Sequence, residues 1–147
     1  MNNTWQNLTI DDFPHQTMEQ VRFSDTDSVG HVNNVAFAAY LETGRVSLTH
    51  ESGVREQLKG TGTHFVIAQL NLSYRGEMSW PGKVRIGTGI TKTGRSSVTM
   101  VQAMYQGDLC TSTAEAVLVL MDMTSRKSTP LPENIIPLFQ KLIISPA

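Results

Sequence analysis

The spacing of hydrophobic positions in this chain switches between a strand period and a helix period. Between Glu19 and Phe23, Val21 and Phe23 alternate with polar neighbours, which predicts a first strand. The Ser/Asp/Thr/Gly-rich residues 24–30 are turn chemistry and end it. From about Asn34 to His50 the spacing becomes three and four. Phe37, Leu41, Gly44 and Leu48, with Tyr40 beside them, mark one face of a helix. Asn33 or Asn34 is placed to cap it, because a side-chain oxygen there accepts a free N–H of the first turn. Gly44 in mid-helix costs roughly 1 kcal/mol against alanine, so a close approach to a packed neighbour is expected there. Gly53 is a suitable stop.

Beyond Gly62 the period is two. His64–Tyr74 places Val66, Ala68, Leu70, Leu72 and Tyr74 on one face and Gln69, Asn71 and Ser73 on the other. Lys83–Lys92 alternates through Val84, Ile86 and Ile90. Gly94-Arg95 turns into Ser97–Tyr105, and Gly107-Asp108 turns into Leu109–Met123. The last three form an antiparallel meander. Pro130, Pro132 and Glu133 open a stretch, Asn134–Leu142, spaced for a short helix. Residues 1–16, polar and carrying Pro14, read as an arm. Strand, long helix, then four strands is an α+β order within one domain over residues 1–147.

A hydrophobic share of 39% and a charged share of 17% describe a folded chain rather than a disordered one. The net charge of −1, without a dense Lys/Arg block, leaves no electrostatic footprint for a nucleic acid. One cysteine, Cys110, cannot close an internal disulfide and fits a reducing compartment. The start MNNTWQNLTIDDF has neither a positive nor an apolar leader region. No apolar run approaches the roughly 20 residues of a membrane span. The expectation is a cytoplasmic protein with no membrane partner. His15, His31, His50 and His64 lack metal-ligand spacing, so no metal and no cofactor is expected. There is no nucleophile elbow and no glycine-rich phosphate loop.

The chemistry concentrates between residues 23 and 45. Asp27 stands four residues before His31, and Asn33 and Asn34 follow at the helix start. A loop aspartate ordinarily bonds its own backbone. Ahead of a helix N-terminus, a carboxylate with a reference pKa of about 3.9 is equally a base or nucleophile. The free N–H groups behind it can receive an oxyanion. His31 is either a structural loop histidine or a partner that orients the carboxylate or bonds a substrate carbonyl. Asn33 caps the helix or positions water. Glu42 and Arg45, three apart, are expected to form a surface ion pair. Lys92, Arg95, Ser96 and Ser97 surround one turn, and Arg126 and Lys127 follow the last long strand, residue types suited to phosphate contacts.

The pattern D-x-x-G-H-V-N-N over Asp27–Asn34, followed by Tyr40, Glu42 and Arg45, resembles the hotdog-fold acyl-CoA thioesterases of the 4-hydroxybenzoyl-CoA thioesterase-like family. The likeness extends in element order over roughly residues 19–123. It implies a hotdog fold, in which an antiparallel sheet wraps one long central helix, and a homodimer or homotetramer with active sites at the interface. It implies hydrolysis of an acyl-CoA to free acid and CoA, the CoA belonging to the substrate. Asp27 would be the base or nucleophile, the backbone N–H of Asn34 the oxyanion donor and His31 a helper. Asn33 and the turn of Arg95, Ser96 and Ser97 would lie along the substrate. Leu72–Glu77 resembles a strand end of plant acyl-carrier-protein thioesterases, whose catalytic set includes a glutamate. An acyl-carrier-protein thioesterase and a non-catalytic acyl-thioester binding module are the alternatives.

Overall fold

The computed structural model describes residues 7–144; residues 1–6 of the expected arm lie outside them. In chain order the elements are β1 (His15–Gln20), α1 (Asn34–Glu51), α2 (Val54–Leu58), β2 (Thr63–Tyr74), β3 (Lys83–Thr93), β4 (Ser97–Gln106), β5 (Leu109–Asp122), β6 (Lys127–Ser128) and α3 (Ile136–Gln140). The long strands form one antiparallel sheet in the order β1-β3-β4-β5-β2, and β6 pairs with β5. The meander β3-β4-β5 is therefore its centre, and the expected α+β hotdog arrangement is the observed one.

The helix lies where its apolar face predicts. Phe37, Tyr40, Leu41, Gly44 and Leu48 are all buried. Gly44 marks the closest approach of α1 to the sheet. A Cβ there would stand 2.7 Å from Ile86 Cγ2 and 2.8 Å from Gln102 Nε2, closer than packed atoms tolerate. Beneath the first half of α1 the core is built on Phe37, Leu41, Ile86 and Met104. Beneath its second half it is built on Leu48, Ile90, Met100 and Phe139.

Four sequence expectations need correction. The first strand is His15–Gln20, not 19–23, and Phe23 sits in a 3-10 turn with Ser24 and Asp25. Its inward side chains are His15, Thr17 and Glu19, so hydrophobic alternation could not reveal it. His15 Nε2 instead meets Ser47 Oγ of α1 at 3.1 Å. The described part of the arm is not free. Ile10 and Phe13 are buried with Val101, Ala103, Tyr105 and Ile144 on the sheet face away from α1.

In β2 the register shifts between Ile67 and Gln69, a one-residue bulge at Ala68. Phe65 and Ile67 before it, and Leu70, Leu72 and Tyr74 after it, share the face opposite Leu120, Leu118, Ala116, Ala114 and Ser112. Val66 and Ala68 therefore leave the expected set, because a single inserted residue reverses side-chain parity. Finally, Arg45 does not pair with Glu42. It lies on the stripe between Leu41 and Leu48, is buried, and donates from a guanidinium N–H to Gln102 Oε1 at 3.1 Å.

Candidate active site

The loop from Phe23 to Asn33 is folded on itself ahead of α1. Thr26 and Val32 form an antiparallel bridge, Asp27 N–H donates to His31 O at 2.7 Å, and Asn33 N–H donates to Asp25 O at 2.8 Å. Gly30 makes the reversal at φ +84°, a conformation that other residues adopt at a cost. Inside this loop Asp27 Oδ1 accepts from Val29 N–H at 2.9 Å and from His31 N–H at 3.1 Å. Its other oxygen takes no hydrogen bond among the described residues, and the side chain is exposed. One oxygen of the carboxylate is thus tied to the turn while the other is open.

Two side chains fix the helix start. Asn33 is the N-cap, its Oδ1 accepting from Ala36 N–H at 2.8 Å. Tyr74, at the end of β2, donates its hydroxyl to Asn34 O at 2.9 Å and packs edge-on against Phe37. The N–H groups of Asn34 and Val35 then stand at the positive end of an 18-residue helix with no acceptor among the described residues. They can serve an incoming negative charge.

Asp25 is structural. Tyr40 of α1 donates its hydroxyl to Asp25 Oδ2 at 2.6 Å, and Arg22 adds an exposed ion pair at 3.0 Å. The Tyr40 hydrogen bond, ahead of Arg22, holds the Asp25 carboxyl below its ordinary value. Burial and Asp25 together push the Tyr40 phenol up to about 12.

His31 turns its imidazole towards Glu77, with Nε2 3.2 Å from Oε2. The backbone supports that meeting: His31 bridges Ser79, and Val32 N–H donates to Met78 O at 2.8 Å. Gln106 holds Ser79 from the other side by two hydrogen bonds, both 2.9 Å. Asp27, His31, Asn33, Asn34 and Glu77 therefore gather at one end of the sheet.

Arg95, Ser96 and Ser97 do not join them within one chain. β3 begins beside β1 at the Asp27 end and runs to the 94–97 turn, a span of about 33 Å at strand rise. There the main-chain carbonyls of Arg95 and Ser96 accept from Leu131 and Leu120. Sequence reasoning missed the Tyr40–Asp25 and Tyr74–Asn34 contacts. Each joins residues 15 or 40 positions apart, and no linear pattern announces such pairs. Among the described residues, no three His, Cys, Asp or Glu side chains stand together as metal ligands would, and no helix is long and apolar enough to cross a membrane.

Known proteins resemble this chain in sequence and in fold. The model of the thioesterase-like superfamily matches residues 21–139. The uncharacterized protein YsmA of Bacillus subtilis (strain 168) is 31% identical over 110 residues, 74% of this chain and 73% of that protein. A thioesterase from Thermus thermophilus, solved with coenzyme A and zinc, is 28% identical with a TM-score of 0.80, covering 93% of this chain and 99% of its own. The PA5185 protein from Pseudomonas aeruginosa strain PAO1 has the same fold at a TM-score of 0.83, with 21% identity over 93% of this chain and 96% of that one.

Proposed function

The chain belongs to the thioesterase-like superfamily, and from that premise we propose that it hydrolyses an acyl-CoA thioester to a free carboxylic acid and CoA. The observation that carries this reading is the division of labour in Asp27: one oxygen is tethered by two backbone amides, and the other, like the first amides of the helix behind it, has no partner among the described residues. The free oxygen takes a proton from water as the water adds to the thioester carbonyl, or itself attacks that carbon to give an acyl anhydride that water then hydrolyses to the free acid and the aspartate. The oxyanion is received by the Asn34 N–H, the C–S bond breaks, and the CoA thiolate leaves and is protonated. A thioester needs little activation, so one carboxylate and one or two N–H donors suffice without a cofactor. His31, braced by Glu77, assists from the same end. The CoA complex of the Thermus thermophilus relative supports CoA as the carrier. A cytoplasmic location fits an acyl-CoA substrate.

The working unit is a homodimer joined along β2. Among the described residues this strand pairs only with β5, and its Ile67, Leu70 and Tyr74 side chains are exposed in the single chain. A long apolar edge left open invites pairing. Antiparallel pairing of two copies along β2 would carry the 94–97 turn of one copy to the end that holds Asp27 of the other. Arg95, Ser96 and Ser97 would then reach the CoA moiety across the interface. Free-thiol release from short, medium, long and aryl acyl-CoAs tests the reading. Turnover of any of them supports it, and no turnover of the whole panel contradicts it.

A further inference from the structure

On the flank of α1 that faces β1, three side chains outside the Asp27 site stand in a row. Ser47 and Glu51 lie one turn apart on the helix, and His15, the first residue of β1, meets both. His15 Nε2 stands 3.1 Å from Ser47 Oγ and 2.9 Å from Thr17 Oγ1, and its Nδ1 stands 3.5 Å from Glu51 Oε2. The imidazole is buried, whereas Glu51 is exposed. Ser47 is half-buried and opens onto a pocket of about 320 Å³, whose other lining residues are Glu42, Thr43, Val46, His50 and Arg55. The pocket includes no residue of β2, whose edge is at the opposite side of the sheet from β1. Asn34, at the start of α1, is about 20 Å away along the helix axis.

Each position matches a need of acyl transfer to a serine. The carboxylate on Nδ1 favours the tautomer protonated there, which leaves the Nε2 lone pair to take a proton from a hydroxyl. Burial holds the imidazole below its ordinary pKa, with Glu51 opposing, so His15 is a neutral base at neutral pH. The last turn of α1 sets its negative end beside the ring and favours the imidazolium formed when Ser47 gives up its proton. Thr17 bonds the same nitrogen but does not line the pocket, so Ser47 is the hydroxyl that a ligand meets. We propose that Ser47, His15 and Glu51 form a second nucleophilic centre, which hydrolyses esters of short carboxylic acids. Ser47 Oγ adds to the ester carbonyl as His15 Nε2 takes its proton; the C–O bond breaks, and the alcohol leaves with that proton. Water, deprotonated by His15, then adds to the Ser47 ester; the acid leaves, and Ser47 recovers its proton from His15. Main-chain amides inside a helix are already bonded, so the oxyanion falls to the Arg55 and His50 side chains of the pocket. A volume at the low end of the range for ligand sites admits a short acyl group rather than a long chain. Glu51 is a positioning residue that acts through His15. The centre does not depend on the role given to Asp27.

A fluorophosphonate, which phosphonylates an activated serine with loss of fluoride, tests the centre on the full chain. One adduct per chain, mapped to Ser47 by peptide mass, is expected in wild type and in Asp27→Asn alike. Ser47→Ala should fold, alanine being the better helix former, and should slow p-nitrophenyl acetate hydrolysis in the Asp27→Asn background by about 10²-fold or more. Among the described residues Glu51 is the one charged group within ion-pair distance of His15. Glu51→Gln should therefore slow the labelling and move its half-maximal pH lower, because Glu51 raises the imidazole's pKa. No adduct on Ser47 in the wild type, an esterase rate unchanged by Ser47→Ala, or a pH profile unmoved by Glu51→Gln would each overturn the proposal, whatever the outcome with acyl-CoA.

Discussion

Tyr40 donates its hydroxyl to Asp25 Oδ2 at 2.6 Å, tying the second turn of α1 to the loop that presents Asp27. The bond is partly buried and charge-assisted, whereas the Arg22 side chain on the same carboxylate is 69% exposed. Tyr40 should therefore carry the effect and Arg22 little of it. Tyr40→Phe is expected to cost roughly 1–2 kcal/mol at neutral pH. The folded-state pKa of Asp25 is depressed, so its contribution is present above about pH 4 and is lost as pH falls through the lower folded value. Tyr40, raised to about 12, loses its own contribution only as pH rises through that value. Urea unfolding of wild type and Tyr40→Phe at a series of pH values checks this: the two stabilities should converge in acid, and a constant difference down to about pH 2 contradicts it.

The two asparagines at the start of α1 should behave differently. Asn33 caps the helix through its side chain, so Asn33→Ala should lose about 1 kcal/mol of stability and loosen the first turn. Asn34 acts through its backbone N–H, so Asn34→Ala should leave kcat within about twofold, far below the cost of losing an oxyanion donor. Paired measurements of unfolding and thioester turnover separate the roles. A large kcat loss in Asn34→Ala would assign the work to its side chain instead.

Gly44→Ala should destabilise the protein although alanine is the better helix former. The gain of roughly 1 kcal/mol in propensity is outweighed by a methyl driven towards Ile86, Gln102 and Thr88, all on the packed sheet. A net loss of about 1–3 kcal/mol by denaturant unfolding is expected. A more stable Gly44→Ala protein would mean that the helix can lift from the sheet without penalty.

The fold was legible wherever one face of an element is apolar. The helix over Asn34–Glu51 and the meander over Lys83–Asp122 follow from spacing alone. β1 was misplaced because its inward residues, His15, Thr17 and Glu19, are polar, and His15 answers to Ser47 and Glu51 of the helix. The parity of β2 was lost at Ala68, since a bulge leaves no mark in composition. α2 is only five residues long, too short for a period to declare itself. At the site, the Asp27–Asn34 block and the Asn33 cap were readable because they are local. The pairing of His31 with Glu77 and the inward turn of Arg45 arise from elements that meet only on folding.

If the catalytic unit is a dimer built along β2, a charge on its open edge should separate the copies. Leu70→Lys, at a position 37% exposed in the single chain, is expected to shift sedimentation from dimer to monomer and to lower turnover in parallel. A dimer that persists, or a fully active monomer, would place the interface or the site elsewhere.

The most direct measurement of the central claim is free-thiol release from an acyl-CoA panel by wild type and Asp27→Asn side by side. Asparagine retains an oxygen to accept the Val29 and His31 amides, so the loop should keep its shape while the reactive oxygen is replaced. The account predicts turnover by the wild type and a loss on the order of 10²–10⁴-fold in a normally folded Asp27→Asn protein. A folded variant that releases thiol at the wild-type rate would contradict it.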